Sequence, residues 1–144
     1  MAVTSRLYGL AQQSMLNKQI DFDSDTVQVM LCTSGYTPDQ DTHRYKSSVT
    51  SEVVGTNYTA GGLPLTNRTV AYTAGTNTLV LDCDDVVWPS ASFTARFAVF
   101  YIDTGSAATS PLLCYWDFGV DVTAVTAPFT LFINAAGLVT VAAA

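Results

Sequence analysis

Charge is scarce in this chain: Asp, Glu, Lys and Arg make up 12% of its residues, about half the share of an ordinary soluble domain. Its cations, Arg6, Lys18, Arg44, Lys46, Arg68 and Arg96, are scattered, and the formal net charge is −6. Nucleic-acid binding needs clustered cations that displace counterions from phosphate, so no nucleic-acid partner is expected. Acid–base groups are equally thin. His43 is the single histidine and Glu52 the single glutamate. A Ser–His–Asp or Cys–His site would have to use His43, beside the cation Arg44. A glycosidase would have to pair aspartates alone. The glycine patterns that cradle nucleotide phosphates are absent. The chain is therefore expected to be no enzyme and to carry no cofactor. No apolar run approaches the roughly 18 residues of a membrane span, and no basic stretch leads into an apolar one. A soluble chain without an export signal or membrane partner is expected.

Cys32, Cys83 and Cys114 are odd in number and lack CxxC spacing, and each lies in an apolar, strand-like run. Buried, reduced thiols are the expectation, in keeping with folding in a host cytoplasm. Internal repeats, heptads and interdomain linkers are also missing, so the 144 residues read as one domain that buries roughly 70% of its unfolded surface.

What is present is apolar and β-rich. Hydrophobic residues reach 49%. Either part of the outer surface is covered by copies or a partner, or hydroxyl side chains keep it wet. The stretch Phe93–Gly119 is the most informative. In its first run Phe93, Ala95, Phe97, Val99 and Tyr101 fall on one face, and Phe100 and Ile102 make the other apolar as well. In its second, Leu112, Cys114, Trp116 and Phe118 alternate with Leu113, Tyr115 and Asp117. Strands apolar on both faces are central strands covered on both sides.

Further strands are expected near 26–33, 49–54, 68–73, 78–83, 128–133 and 138–141, with Pro64, Pro89, Pro111 and Pro128 at or beside their ends. Thr4 or Ser5 is placed to cap a helix over Arg6–Asn17, with Leu7, Leu10, Ala11 and Met15 on one stripe. The fold class is all-β: a single-domain sandwich or barrel, jelly-roll-like, with one short N-terminal helix. Residues 1–18 read as an N-terminal arm and 19–144 as the β domain.

Asp21, Asp23 and Asp25 start like a calcium loop, but Thr26 and Cys32 stand where Gly and Glu are needed, so solvated turn acids are expected and no metal. Asp82, Asp84 and Asp85 read as a charge row at a sheet edge, with a cation site as the sharper alternative. Asn57 and Asn67 match the glycosylation sequon, which means little without export. Tyr36, Tyr45, Tyr58 and Trp88 lie in or near loops, where they would rim an interface, stack on sugars or simply anchor loops.

Several segments together resemble a family of small virion structural proteins of tailed bacteriophages. They are DFDSDTVQVML, the YTP…D…H stretch, the S-E-V…G-x-x-YTAGG run, DDVVW and TARFAVFY, and the likeness runs from about Leu7 to Gly137. Members with an assigned place are similar to capsid decoration or cement proteins, on the outside of the head. The resemblance implies a non-enzymatic protein bound to the major capsid protein and to itself, as a dimer or trimer. The location it implies is the capsid exterior of the virion. The alternative is a neck or tail component, including a host-surface carbohydrate-binding module. No catalytic residues come with the family. The expected contact residues are Leu7, Tyr8, Leu10 and Met15 of the N-terminal segment, with Tyr36, Tyr45 and Tyr58 of the loops. The last residues, AAGLVTVAAA, are apolar for a terminus and suit a closing strand or an interface tail.

Overall fold

A computed structural model describes residues 3–143. It is mostly β, with two antiparallel sheets and one short helix, and no barrel closes. The elements are β1 (Thr4–Leu7), α1 (Gly9–Leu16), β2 (Val27–Cys32), β3 (Leu63–Pro64), β4 (Thr69–Thr73), β5 (Thr78–Asp82), β6 (Val86–Ile102), β7 (Leu112–Leu131) and β8 (Val139–Ala142). One sheet runs β1-β7-β6-β2-β3 and the other β4-β5-β8.

The larger sheet is covered on both faces, as the apolar runs require. Along β2, Val27, Val29 and Leu31 enter the core between the sheets, with Leu81, Cys83 and Val139 from the smaller sheet and its flank. Met30 and Cys32 point the other way, into a second core with Tyr8, Ala11 and Tyr36. Successive side chains of a strand point to opposite faces, so one buried strand feeds both cores.

Period two does not survive the whole length of β6. Phe93 and Ala95 belong to the core between the sheets, whereas Phe97, Val99 and Tyr101 belong to the helix-side core. The β6–β7 register shifts between Ala95 and Phe97, and a bulge at this point moves the odd-numbered set to the opposite face. A second shift between Phe100 and Tyr101 likewise sends Leu112 to the helix side while Cys114 stays between the sheets.

The hairpin is also longer than its apolar runs. β6 begins at Val86 and β7 continues to Leu131, so the strand expected at 128–133 is the far end of β7. Pro89 and Pro128, expected at or beside strand ends, lie inside, as does Gly119. Register shifts flank them, and Ser90, Gly119 and Thr126 adopt positive φ. Bulges accommodate the residues that a regular ladder rejects.

The N-terminal segment departs from the expected helix over Arg6–Asn17. Thr4–Leu7 is a strand paired with Cys114–Asp117 of β7, and the helix starts at Gly9 with Tyr8, not Thr4 or Ser5, at its N-cap. The open edge of β7 offers Thr4–Leu7 a ladder, while eight helical residues are marginal alone. Tyr8 and Ala11 are buried in the helix-side core. Residues 49–54 form no strand; they make an isolated bridge from Glu52 to Cys32. The apolar end of the chain does supply a closing strand, β8 on β5.

Candidate functional site

The aromatic loop residues point inward. Tyr36 is 2% exposed and Trp88 is 1% exposed, so neither ring face is open to a ligand. The Tyr36 hydroxyl lies 2.9 Å from that of Tyr8 and 2.9 Å from His43 Nδ1, and the His43 ring stacks on Tyr36. Burial pushes the Tyr36 phenol up to about 12 and raises that of Tyr8 as well. The single histidine is thus bound to a phenol and, at 3.3 Å, to the backbone N–H of Asp39.

Tyr58 is wedged between Trp88 and Phe93. Its hydroxyl donates to Glu52 Oε1 at 2.8 Å and accepts from the Leu31 backbone N–H at 2.9 Å. Burial is the main cause raising this phenol. Glu52 also accepts from Gly61 N at 2.6 Å, so the only glutamate ties a loop to β2. Tyr45 is half-buried, with its hydroxyl against Gln19 and the Arg44 guanidinium over its ring.

The acidic groups serve the backbone. Asp21 N–H donates to Asp25 Oδ2. Asp82 accepts from Cys83 N and Asp85 from Ile133 N, while Asp84 accepts from Asn67 and Thr66 side chains. The expected sheet-edge row is not at an edge: Asp82 ends the central strand of the smaller sheet, and Asp84 and Asp85 lie in its connection to β6. The three cysteines are free and buried, and burial raises the thiols of Cys32 and Cys83 to about 12. Among the described residues no helix is long and apolar enough to cross a membrane.

A large concavity lies elsewhere. A groove of about 920 Å³ is lined by residues of β1, of β7 and of the segment leading into β8, and Cys114, Phe118, Ala124, Phe129 and Leu131 of its lining also belong to the core between the sheets. Its lining includes Leu7, Trp116, Val122, Phe129, Phe132 and Val139, and no charged side chain lines it. Ten large hydrophobic side chains are exposed among the described residues, and five of them (Val3, Val120, Val122, Val125 and Phe132) border this groove. Clustering of that kind marks an interaction surface, whereas scattered apolar residues need no explanation.

Of the expected contact residues, Leu7 alone lines the groove. Tyr8 and Tyr36 are buried; Leu10, Met15, Tyr45 and Tyr58 are half-buried and lie away from it. Sequence reasoning passed over Val120, Val122, Val125 and Phe132. A signal for them exists: no charged residue follows Asp121.

A smaller depression, about 320 Å³, lies over Arg96, Asp117, Phe97 and Tyr115. Arg96 Nε meets Asp117 Oδ1 at 2.8 Å, and both rings on its floor are buried. It presents a satisfied ion pair and no free aromatic face. Comparison with models of known protein families, with curated protein sequences and with solved structures found no match.

Proposed function

We propose that this chain is a non-enzymatic structural protein of a tailed-bacteriophage virion, one that decorates the capsid and braces it as a homo-oligomer. The observation that carries this reading is where its groups are spent. The histidine, the glutamate and the loop aromatics are held within the protein by hydrogen bonds and stacking, while exposed apolar side chains gather beside a groove that no charged side chain lines. Such a surface suits contact with other proteins better than turnover of a small substrate. The likeness of DFDSDTVQVML, DDVVW and TARFAVFY to phage virion proteins supplies the setting.

The mechanism is clamping by many weak contacts. One contact of about 1.4 kcal/mol changes occupancy only tenfold. Repeated around an oligomer, such contacts combine because each engaged copy holds the next at high local concentration. Lattice subunits bridged in this way separate only if several contacts fail together.

Immunogold labelling of intact particles with antibody to this chain tests the reading. Gold distributed over the head is the expected result, together with binding of purified protein to expanded, undecorated heads. Gold confined to neck or tail, with no affinity for heads, overturns it.

A further inference from the structure

We infer that the depression over Arg96 and Asp117 binds a small, neutral, polyhydroxyl ligand, the class to which sugars belong. Two exceptions in this molecule meet there. Among the described residues Arg96–Asp117 is the one ion pair. Tyr115, in the same lining, is the one tyrosine whose hydroxyl has no protein partner, since every other phenol bonds a side chain or a carbonyl. Its ring is buried, but its hydroxyl is not among the enclosed unpaired atoms and reaches solvent.

The β6–β7 bulge builds this place. Ala95 pairs with Val122 and Phe97 with Asp117, which leaves Arg96 opposite the whole run Phe118–Asp121. Bulges re-aim side chains, and they gather beside functional sites. This one turns at Gly119, with φ 78°. It brings Gly119 N–H and Arg96 Nε–H onto one oxygen, Asp117 Oδ1, at 2.7 and 2.8 Å. The guanidinium is thereby fixed above the Phe97 ring. Among the described residues neither its two Nη atoms nor Asp117 Oδ2 bonds a protein group. Ser34 and Thr37 add two hydroxyls to the lining. Their turn is held by Tyr36 N–H on Thr33 O and by close packing of Gly35 on Ser51.

Charge and hydrogen-bonding pattern select the ligand. Arg96 and Asp117 cancel each other. Asp121 lies within electrostatic reach of Arg96, and Asp39, Asp41 and Arg6 lie within reach of the Tyr115 hydroxyl. Two cations thus face four carboxylates, which disfavours a carboxylate or phosphate ligand in spite of the open arginine fork. A cation would meet the guanidinium. Hydroxyl groups fit, because each both donates and accepts. The hollow offers them fixed donors on Arg96, a fixed acceptor on Asp117, and the hydroxyls of Ser34, Thr37 and Tyr115, which work in either sense. Its volume, about 320 Å³, stands at the small end of ligand sites. Groups already held in place cost little to order on binding.

The site belongs to the isolated chain and does not rest on the virion reading. Its test is an NMR titration of the full chain, read at backbone N–H and arginine Nε–H signals, with glucose, galactose, mannose and N-acetylglucosamine. At least one sugar should shift the signals of Ser34, Thr37, Arg96 and Gly119 saturably, with a Kd of about 1–10 mM. Tyr115→Phe removes a hydroxyl that holds nothing in the protein, so the melting temperature should not change while affinity falls about fivefold. Arg96→Lys keeps the charge but loses the fork, and should weaken binding at least about tenfold with the circular dichroism of the fold unchanged. No saturable shift with any of these sugars overturns the inference. So does a sugar that binds both variants as tightly as the wild type. Shifts produced by phosphate or acetate and by no sugar make the hollow an anion site and refute the neutral ligand.

Discussion

Replacing Tyr58 by Phe separates two roles for this ring, because it deletes one oxygen and leaves the aromatic face. That oxygen accepts from Leu31 N–H and donates to Glu52 Oε1, at 2.9 and 2.8 Å. Leu31 is fully buried, so its N–H would lose its partner where water does not reach, at a cost of about 1–3 kcal/mol. Glu52 would lose one of two donors but keep Gly61 N; a hydrogen bond to a charged acceptor contributes about 1.5–3 kcal/mol, less where water replaces it, as it can at this half-buried site. The two losses share one atom and are not additive. We expect a fall of about 2–4 kcal/mol in unfolding free energy, or roughly 5–15 °C in melting temperature for a domain of this size. Denaturant titration should show a lower midpoint with unchanged slope. Tyr58→Ala should cost about 3 kcal/mol more, since the ring packed against Trp88 and Phe93 goes too. A loss below about 0.5 kcal/mol for Tyr58→Phe would refute the anchoring role. A sugar-stacking tyrosine would behave oppositely, tolerating Phe in stability and in glycan binding.

Three further outcomes follow from the same structure. Gly62 sits at φ 82°, and a Cβ there would overlap the Val29 carbonyl; Gly62→Ala should cost about 3 kcal/mol or more by chemical denaturation, from left-handed strain and overpacking together. Gly105→Ala, at φ 85° but in open space, should cost only about 1–2 kcal/mol, and equal losses at the two sites would sink the packing argument. Hydrogen bonding to Arg96 lowers the Asp117 pKa below its ordinary 3.8, so the pair's contribution is present above that value and lost as pH falls through the folded-state pKa. For so exposed a pair it is at most about 1 kcal/mol, so Asp117→Asn should lower stability by up to that amount at neutral pH, leave it unchanged below the folded-state pKa, and thereby flatten this part of the stability–pH curve. Native protein at neutral pH should not react with a thiol reagent, because Cys32, Cys83 and Cys114 are buried and burial disfavours each thiolate; in denaturant all three should react, and fast labelling of folded protein would contradict the packing of both cores.

Local pattern carried the fold class a long way. The apolar faces of Phe93–Ile102 and Leu112–Phe118 required a central hairpin covered on both sides, and β6–β7 is that hairpin. It misled wherever a bulge intervened. Pro89 and Pro128 read as strand ends, yet the ladder passes them by shifting register. Phe93 and Phe97 read as one face, yet they lie in different cores. A bulge is a property of two strands in register, and neither strand alone announces it.

The candidate contact residues failed to mark the groove for a related reason. Tyr8 and Tyr36 sit in polar-looking segments, but their hydroxyls satisfy each other inside the protein, which lets both rings be buried. Conversely, Val120–Val125 reads as ordinary strand. Only the sheet order reveals that β1 stops short and leaves its edge open.

By itself the sequence determined the chemistry available: few charges, one histidine, one glutamate, three unpaired thiols and strands apolar on both faces. Those are properties of residues and their near neighbours. Which groups are spent inside and which surface stays exposed was decided by the tertiary structure alone. Burial, strand order and register depend on residues far apart in the chain, and they leave the valines of β7 and Phe132 exposed beside the groove.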